Sequence, residues 1–432
     1  LLLISIDDRD WAISTCGYAI TVFTDAGIDY IGEKITPYLS DGDYAAAFSK
    51  YAELCDEFIT QARNETPYDI ENMPREPLSL IWIPVSVIIG LIIALIAVGI
   101  MKSKLKTVRF KAAANSYLKK GSLNMYMFIG GTNFGFTSGA NHYEKFAPDV
   151  TSYDYDALLS ECGDTTEKYF AVRKVIAEET GVTPPEVPAN RKKYAYGRVG
   201  LTNSAGLLPN LDIISSPIHS DVPRAMEHYG MGYGYIAYTT VLNRDYTDAP
   251  LTFAELGDRA QVLINNELKG IAYINESLTV NITAKAGDKL TVLVENMGRA
   301  NFGNKMMRKK GLPGRVLLGN KIHFSWDVYP LPMTDISALK FGEKATADIP
   351  AFYRGTFSAD EAYDTFLRTD NFKKGFVLLN GFNLGRYWEA GPQKTLYVPR
   401  SLIKKGENEV IIFESDGLNG NPEIEFTDKP EY

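Results

Sequence analysis

Cysteine and histidine are scarce in this chain, with three cysteines (Cys16, Cys55, Cys162) and four histidines in 432 residues. Three thiols with no C-x-x-C pair cannot build a disulfide framework or a cysteine-rich zinc site, so no metal or cofactor is expected. Basic charge is short as well. Forty-five Lys and Arg against 53 Asp and Glu leave a net charge of −8, and nucleic acid, whose phosphates need a net basic face, is not an expected partner. What is plentiful is aromatic and turn chemistry. The 26 tyrosines, 21 phenylalanines and 36 glycines suit a β-rich globular protein, and the length suffices for two or three domains.

Charge is distributed unevenly. Residues 1–78 hold 15 acidic and 5 basic side chains, residues 78–101 hold none, and residues 102–120 hold seven basic side chains and no acid. The uncharged run LSLIWIPVSVIIGLIIALIAVGIM would make a helix of ~36 Å, enough to cross a hydrocarbon layer of ~30 Å. Pro84 and Gly90 within it are compatible with a membrane helix. The expectation is therefore one transmembrane helix, with the lipid bilayer as a partner. Lys102, Lys104, Lys106, Arg109 and Lys111 follow at once, and the positive-inside rule places the segment after residue 101 in the cytoplasm.

Before that run, LLLISI and residues 11–15 flank Asp7-Asp8-Arg9-Asp10, a β-hairpin pattern. The three aspartates there are either a solvated turn or a cation loop, and the turn is the commoner use. Tyr44, Phe48, Tyr51, Cys55 and Phe58/Ile59 recur at helical spacing, an amphipathic helix with this stripe, Cys55 included, on its buried face. The stretch DDRDWAISTCGYAITVFTDAGIDYIGEKITPYLSDGDYAAAFSKYAELCDEFI, with the apolar run and KSKLKTVRFKAAANSYLKKGSLN after it, resembles bacterial membrane-anchored TPM-domain proteins lacking the first half of that domain. No motif here carries that family's suggested phosphatase or cation-binding properties to a residue.

From Asn124 the character changes. NMYMFIGG reads as a strand buried on both faces. A loop rich in Gly, Asn and aromatics follows, and then a helix near Asp164 and Glu167 with apolar positions Phe170, Val172, Val175 and Ile176, stopped by Gly181 and Pro184-Pro185. Strand, long loop and helix make one βα unit of an α/β barrel, whose chemistry sits in the loop after the strand. Beyond residue 190, short alternating strands such as 376–379, 395–398 and 410–413 lie between Gly, Pro and Asn turns, which predicts β-sandwich modules.

The run MYMFIGGTNFGF…TSYDYDALLSECGDTTEKYFAVRKVI, continued by KYAYGRV, LTVLVENMGRANFG, residues 349–358 and LNGFNLGRYWEAGPQKTLYVPRSLIKKGENEVIIFE, resembles glycoside hydrolase family 35 β-galactosidases over about 310 residues. The resemblance implies a chain that acts on terminal β-galactosides or another carbohydrate by a retaining mechanism. In that family both catalytic glutamates lie on barrel strands upstream of the one beginning at Asn124. Residues 1–123 offer no counterpart, so no catalytic residue is assigned and the chain alone is expected to be inactive. Glu144, Asp154, Asp156 and Glu161 are the local acids, and Asp154 and Asp156 are expected to phase the loop by bonding neighbouring backbone. By resemblance, Tyr155 and Phe136 are the substrate-binding residues. Leu158 stands where the family usually has proline, and Phe136 lacks the hydroxyl some relatives carry. Trp326, Tyr387 and Trp388 could stack on sugars but read better as core.

The resulting architecture is mixed. It comprises a partial TPM-like α/β domain (1–77), the transmembrane helix (78–101), a basic segment (102–121), the last βα unit of a TIM barrel (122–188) and two β-sandwich, jelly-roll-like modules (189–310 and 311–432), the second galactose-binding-like. Two other readings compete with the hydrolase, namely a membrane-anchored, non-catalytic carbohydrate-binding protein and a chimeric product. Gly121-Ser122-Leu123-Asn124 fits both parent patterns and marks the join.

Overall fold

The computed structural model describes residues 1–6, 10–64, 66–74, 114, 116, 119, 121, 123–342 and 350–431. The chain divides into two compact units, Leu1–Lys102 and Ser103–Tyr432.

In the first unit, β1 (Leu2–Ser5) and β2 (Asp10–Ile13) pair as the expected antiparallel hairpin. Asp7 and Asp8 of the acidic turn lie outside the described residues. Two long helices follow the short α1 (Ala19–Val22), namely α2 (Asp25–Ser40) and α3 (Tyr44–Asn64). Thr24 caps α2 by accepting the Gly27 N–H at 3.1 Å. The stripe on α3 differs from the expected one: Ala47, Leu54 and Phe58 are buried, whereas Tyr44 and Phe48 are exposed and Cys55 is half-buried. The packing of α2 selects this face, since Ile31 joins Leu54 and Phe58 in the core.

The single-pass membrane placement is corrected. Among the described residues no helix is long and apolar enough to cross a membrane, and the expected cytoplasmic placement of the following segment has no support. The 78–101 run itself lies outside the described residues.

In the second unit the expected barrel strand is absent. Residues 123–131 run irregularly and touch their surroundings through an isolated parallel bridge, Ile129 to Leu159. A strand buried on both faces needs ladder partners on both sides, and none flanks this segment among the described residues. Its side chains are exposed accordingly, Tyr126 at 86% and Phe128 at 50%. The helix does form, as α4 (Glu167–Thr180). Its cap is Thr166, which accepts the Tyr169 N–H at 3.2 Å, and Gly181 ends it in the left-handed region at φ 68°.

Two β-sandwiches make up the rest. One packs a six-stranded sheet containing β7 (Ile218–Ser220), β8 (Tyr235–Val241), β10 (Arg259–Ile264), β11 (Glu267–Tyr273), β13 (Lys289–Glu295) and β16 (Trp326–Leu331) on a four-stranded sheet of β9 (Tyr246–Phe253), β12 (Thr279–Ala284), β14 (Val316–Leu318) and β15 (Lys321–Ile322). The other packs β6 (Asn203–Gly206), β17 (Ala351–Ala359), β19 (Lys374–Leu379), β20 (Phe382–Trp388) and β22 (Gly406–Glu414) on β5 (Gly197–Gly200), β18 (Thr365–Arg368), β21 (Thr395–Val398) and β23 (Glu423–Thr427). The sheets run across the expected cut at 310/311: β14 to β16 join the first sandwich, while β5 and β6 join the second. Each sandwich has its own core, and a third apolar cluster, including Tyr235, Leu293, Phe376 and Phe413, lies between their larger sheets.

Charged groups are buried beside that third cluster. Lys374 on β19 donates to Glu295 on β13 at 2.9 Å, with both side chains under 5% exposed. Arg259 on β10 grips Asp416 with two bonds of 3.0 and 2.6 Å. Arg386 on β20 donates to the carbonyls of Asn296 (3.1 Å) and Ser138 (2.9 Å). These bonds tie strands of both sandwiches and the loop after residue 130 into one polar seam. Breaking a buried pair from one side strands the other charge, whereas replacing both partners by apolar groups is often neutral. Lys374→Met alone is expected to lower stability by about 3–5 kcal/mol, and adding Glu295→Leu should recover most of it, as read by urea denaturation.

Glu414 sits in the same seam and accepts the backbone N–H groups of Lys373 (2.7 Å) and Asp416 (2.6 Å) and the Tyr387 hydroxyl (2.9 Å). Burial nevertheless dominates and pushes its carboxyl up to about 7 from an ordinary value of 4.5. Between those values the folded chain keeps a proton that the unfolded chain has released, so Glu414 makes stability fall as pH rises. Glu414→Gln should reduce the loss of unfolding free energy between about pH 5 and about pH 8 by on the order of 2 kcal/mol, measured by denaturation at both pH values.

Candidate functional site

The loop from Gly130 to Thr166 is positioned by bonds to the second sandwich. Thr151 donates its hydroxyl to the Arg386 carbonyl at 2.7 Å, the Ser152 N–H donates to Gln393 Oε1 at 2.8 Å, and the Gly135 N–H donates to the Asn383 carbonyl at 3.0 Å. Gly130 is required by close approach, because a Cβ there would lie 1.5 Å from the Tyr153 carbonyl oxygen.

The two expected sugar-binding aromatics point to different places. Tyr155 is 62% exposed and meets the edge of Tyr153 at 4.8 Å between ring centres. The Tyr153 hydroxyl in turn lies 3.2 Å from that of Tyr126. Tyr155 lines a depression with residues 123–127 and Lys168. Phe136 is half-buried, with its ring edge-on to Phe376 at 5.1 Å and to Tyr235 at 6.2 Å. It borders a different cavity, lined by Tyr229, Met231, Met333 and Phe382. The structure does not bring Tyr155 and Phe136 into one pocket.

The loop acids are occupied structurally. Asp154 accepts the Glu161 N–H at 3.0 Å, the backbone-phasing role expected of it. Asp156, in the left-handed region at φ 56°, pairs with Lys168 at 2.8 Å rather than with neighbouring backbone. Glu161 is buried and accepts the Thr132 hydroxyl at 2.6 Å. Glu144 is exposed on the turn between β3 (Ala140–His142) and β4 (Phe146–Pro148). Among the described residues no group of three or more His, Cys, Asp or Glu side chains could hold a metal ion.

Trp326 is fully buried and donates its ring N–H to the His323 carbonyl at 3.1 Å. Tyr387 is buried against Glu414. Both are core residues. Trp388 is half-buried, with the Lys374 ammonium 4.4 Å from its ring centre. Sequence reasoning passed over Lys374, Arg386 and Glu414. The signal available was a charge at an inward position of an otherwise apolar strand, as in KKGFVLL and NLGRYW.

Family models place these elements. Residues 100–179 match "Glycosyl hydrolases family 35", residues 223–332 match "Beta-galactosidase, first all-beta domain", and residues 350–408 match "Beta-galactosidase, galactose-binding domain". The chain belongs, from residue 100 onward, to the family 35 β-galactosidases. Residues 1–58 match "TPM domain". The β-galactosidase of Bos taurus is 40% identical over 343 residues, covering 72% of this chain and 52% of that protein. The Homo sapiens enzyme is 39% identical over 362 residues (75% and 53%), and β-galactosidase 1 of Dictyostelium discoideum is 36% identical over 347 (72% and 52%). The chain therefore spans about half the length of the curated relatives it matches.

Their different settings separate the two aromatics by measurement. Phe136→Ala should cost about 3 kcal/mol of stability, the usual loss for an aromatic packed on other rings. Tyr155→Ala should stay within about 0.5 kcal/mol, as for an exposed side chain, and thermal unfolding of both variants reads the difference.

Proposed function

We propose that this chain is a family 35 protein that binds β-galactosides or related carbohydrates without hydrolysing them as an isolated chain. The observation that carries this reading is the use of the loop acids. Retaining hydrolysis needs two carboxyl groups about 5–5.5 Å apart, one to attack the anomeric carbon and one to protonate the leaving oxygen. Asp154 holds the Glu161 backbone, Asp156 holds Lys168, and Glu161 holds Thr132. Asp154, Asp156 and Glu161 are thus each engaged in shaping the loop.

A second reading has its own support. The relatives are named β-galactosidases and the chain spans about half of each, and Tyr126 and Phe128 are exposed where the family's barrel strand is expected. With the remainder of a family 35 barrel supplied, the chain would contribute to hydrolysis of terminal non-reducing β-D-galactose, with Tyr155 beside the substrate.

The test is a purified-chain assay on a chromogenic β-galactoside, with saccharide binding followed in parallel by calorimetry. Binding with no turnover above the uncatalysed rate is expected. Turnover that Tyr155→Phe abolishes would overturn the non-hydrolysing reading.

A further inference from the structure

Between the loop after residue 146, the end of β13 and the edge of the second sandwich lies a cavity of about 250 Å³. Its volume is below the ~300–1,000 Å³ of pockets for drug-sized ligands and matches a single ring with its substituents. Pro148, Val150, Met297, Trp388 and Leu396 give it apolar walls, so an occupant must present apolar surface as well as polar groups.

The polar groups fall into two sets. Gln393 is consumed by the structure, since its oxygen accepts the Ser152 N–H and its amide donates to the Thr395 carbonyl. Asp149 is not. One carboxylate oxygen receives the Asn141 amide at 3.2 Å and the other receives the Asn301 amide at 3.4 Å, and an ionised carboxylate has about four acceptor positions. Burial raises the Asp149 pKa and Arg386 opposes it. Lys394, which bonds the Glu389 carbonyl at 3.0 Å, adds a donor with further hydrogens to give.

Charge decides between ligand classes. Four lining residues are charged: Asp149, Lys374, Arg386 and Lys394. Lys374 is paired with Glu295 at 2.9 Å, and the remaining buried cation, Arg386, is opposed by Glu295 first and by Asp149 as a lesser charge. The buried part of the lining is thus close to neutral and holds spare acceptors on Asp149. An anion would meet Asp149, and a cation would meet Arg386 and Lys374. A neutral ring with hydroxyl donors and one C–H face suits both the walls and the charge balance.

We propose that this cavity is a binding site for a single neutral pyranose unit, with Trp388 as the apolar wall and Asp149 as the hydroxyl acceptor, separate from the Tyr155 loop surface. The inference rests on the carbohydrate-binding reading above and locates its site. Trp388 sits on the β20 edge and Asp149 on the loop after β4, so the site exists only where the loop and the sandwich are docked together.

The experiment titrates the full chain with methyl β-D-galactopyranoside and, separately, with galacturonate, following tryptophan fluorescence and calorimetric heat. The variants are Trp388→Phe, Trp388→Ala, Asp149→Asn and Tyr155→Ala, each checked for an unchanged unfolding temperature. Asp149→Asn keeps the side-chain volume and tests the site even where Trp388→Ala fails to fold. Galactoside binding weakened tenfold or more by Asp149→Asn and by a Trp388 variant supports the site. Binding lost only in Tyr155→Ala overturns the cavity and leaves the carbohydrate-binding reading standing. Galacturonate bound more tightly than the galactoside overturns the neutral-ring assignment. No binding of either sugar at millimolar concentration overturns the site and the reading together.

Discussion

Lys374 and Glu295 meet at 2.9 Å in a place that neither can leave for water, and the polar seam around them fixes how the two sandwiches and the loop after residue 130 lie together. The apolar cluster between the larger sheets supplies most of the burial there, but apolar contact is non-directional and would tolerate sliding. Buried charges do not tolerate it. Shifting one sheet against the other would part Lys374 from Glu295 and Arg259 from Asp416, leaving ions in a low-dielectric site at a cost of several kcal/mol each. Arg386 extends the same constraint to the loop through the Ser138 and Asn296 carbonyls. Burial lowers the pKa of Lys374 while Glu295 opposes the shift, as expected for a cation retained because its partner is in place.

The strand-like run before this loop lacks any such constraint. NMYMFIGG has the composition of a strand buried on both faces, yet Tyr126, Phe128 and Ile129 are exposed and the backbone is irregular. β-propensity expresses packing against cross-strand and same-face neighbours more than an intrinsic backbone preference. Where neighbours are missing, the same residues do not make a strand. Helix α4 differs because its hydrogen bonds are internal. It needs only Val172 and Val175 buried on one side, and Phe170 remains exposed on the other.

This contrast explains what could be read from the residues. Elements whose signals are local were legible: the β1–β2 hairpin, α3, the Gly181 stop of α4, and strands such as 395–398. The Asn380-Gly381 turn joining β19 and β20 is another such signal, with both residues at positive φ. Features that depend on distant partners were not legible. The face α3 buries is chosen by α2. The membership of β5 and β6 in the second sandwich is set by pairing with β23 and β17, far away in sequence. The seam was hidden for the same reason, since nothing near Lys374 in the sequence indicates that Glu295 will lie beside it.

At the candidate site the same logic separates position from reactivity. A loop of this length whose regular structure is only the short β3–β4 pair needs polar side chains to replace the ladder bonds the rest of its backbone lacks. Here the acids do that work, Asp154 for the Glu161 N–H and Asp156 for Lys168. An acid whose oxygens already hold a backbone N–H or an ammonium has fewer lone pairs left to face a ligand. Tyr155 stays accessible at the loop surface, while Asp154 and Asp156 beside it hold the loop's shape.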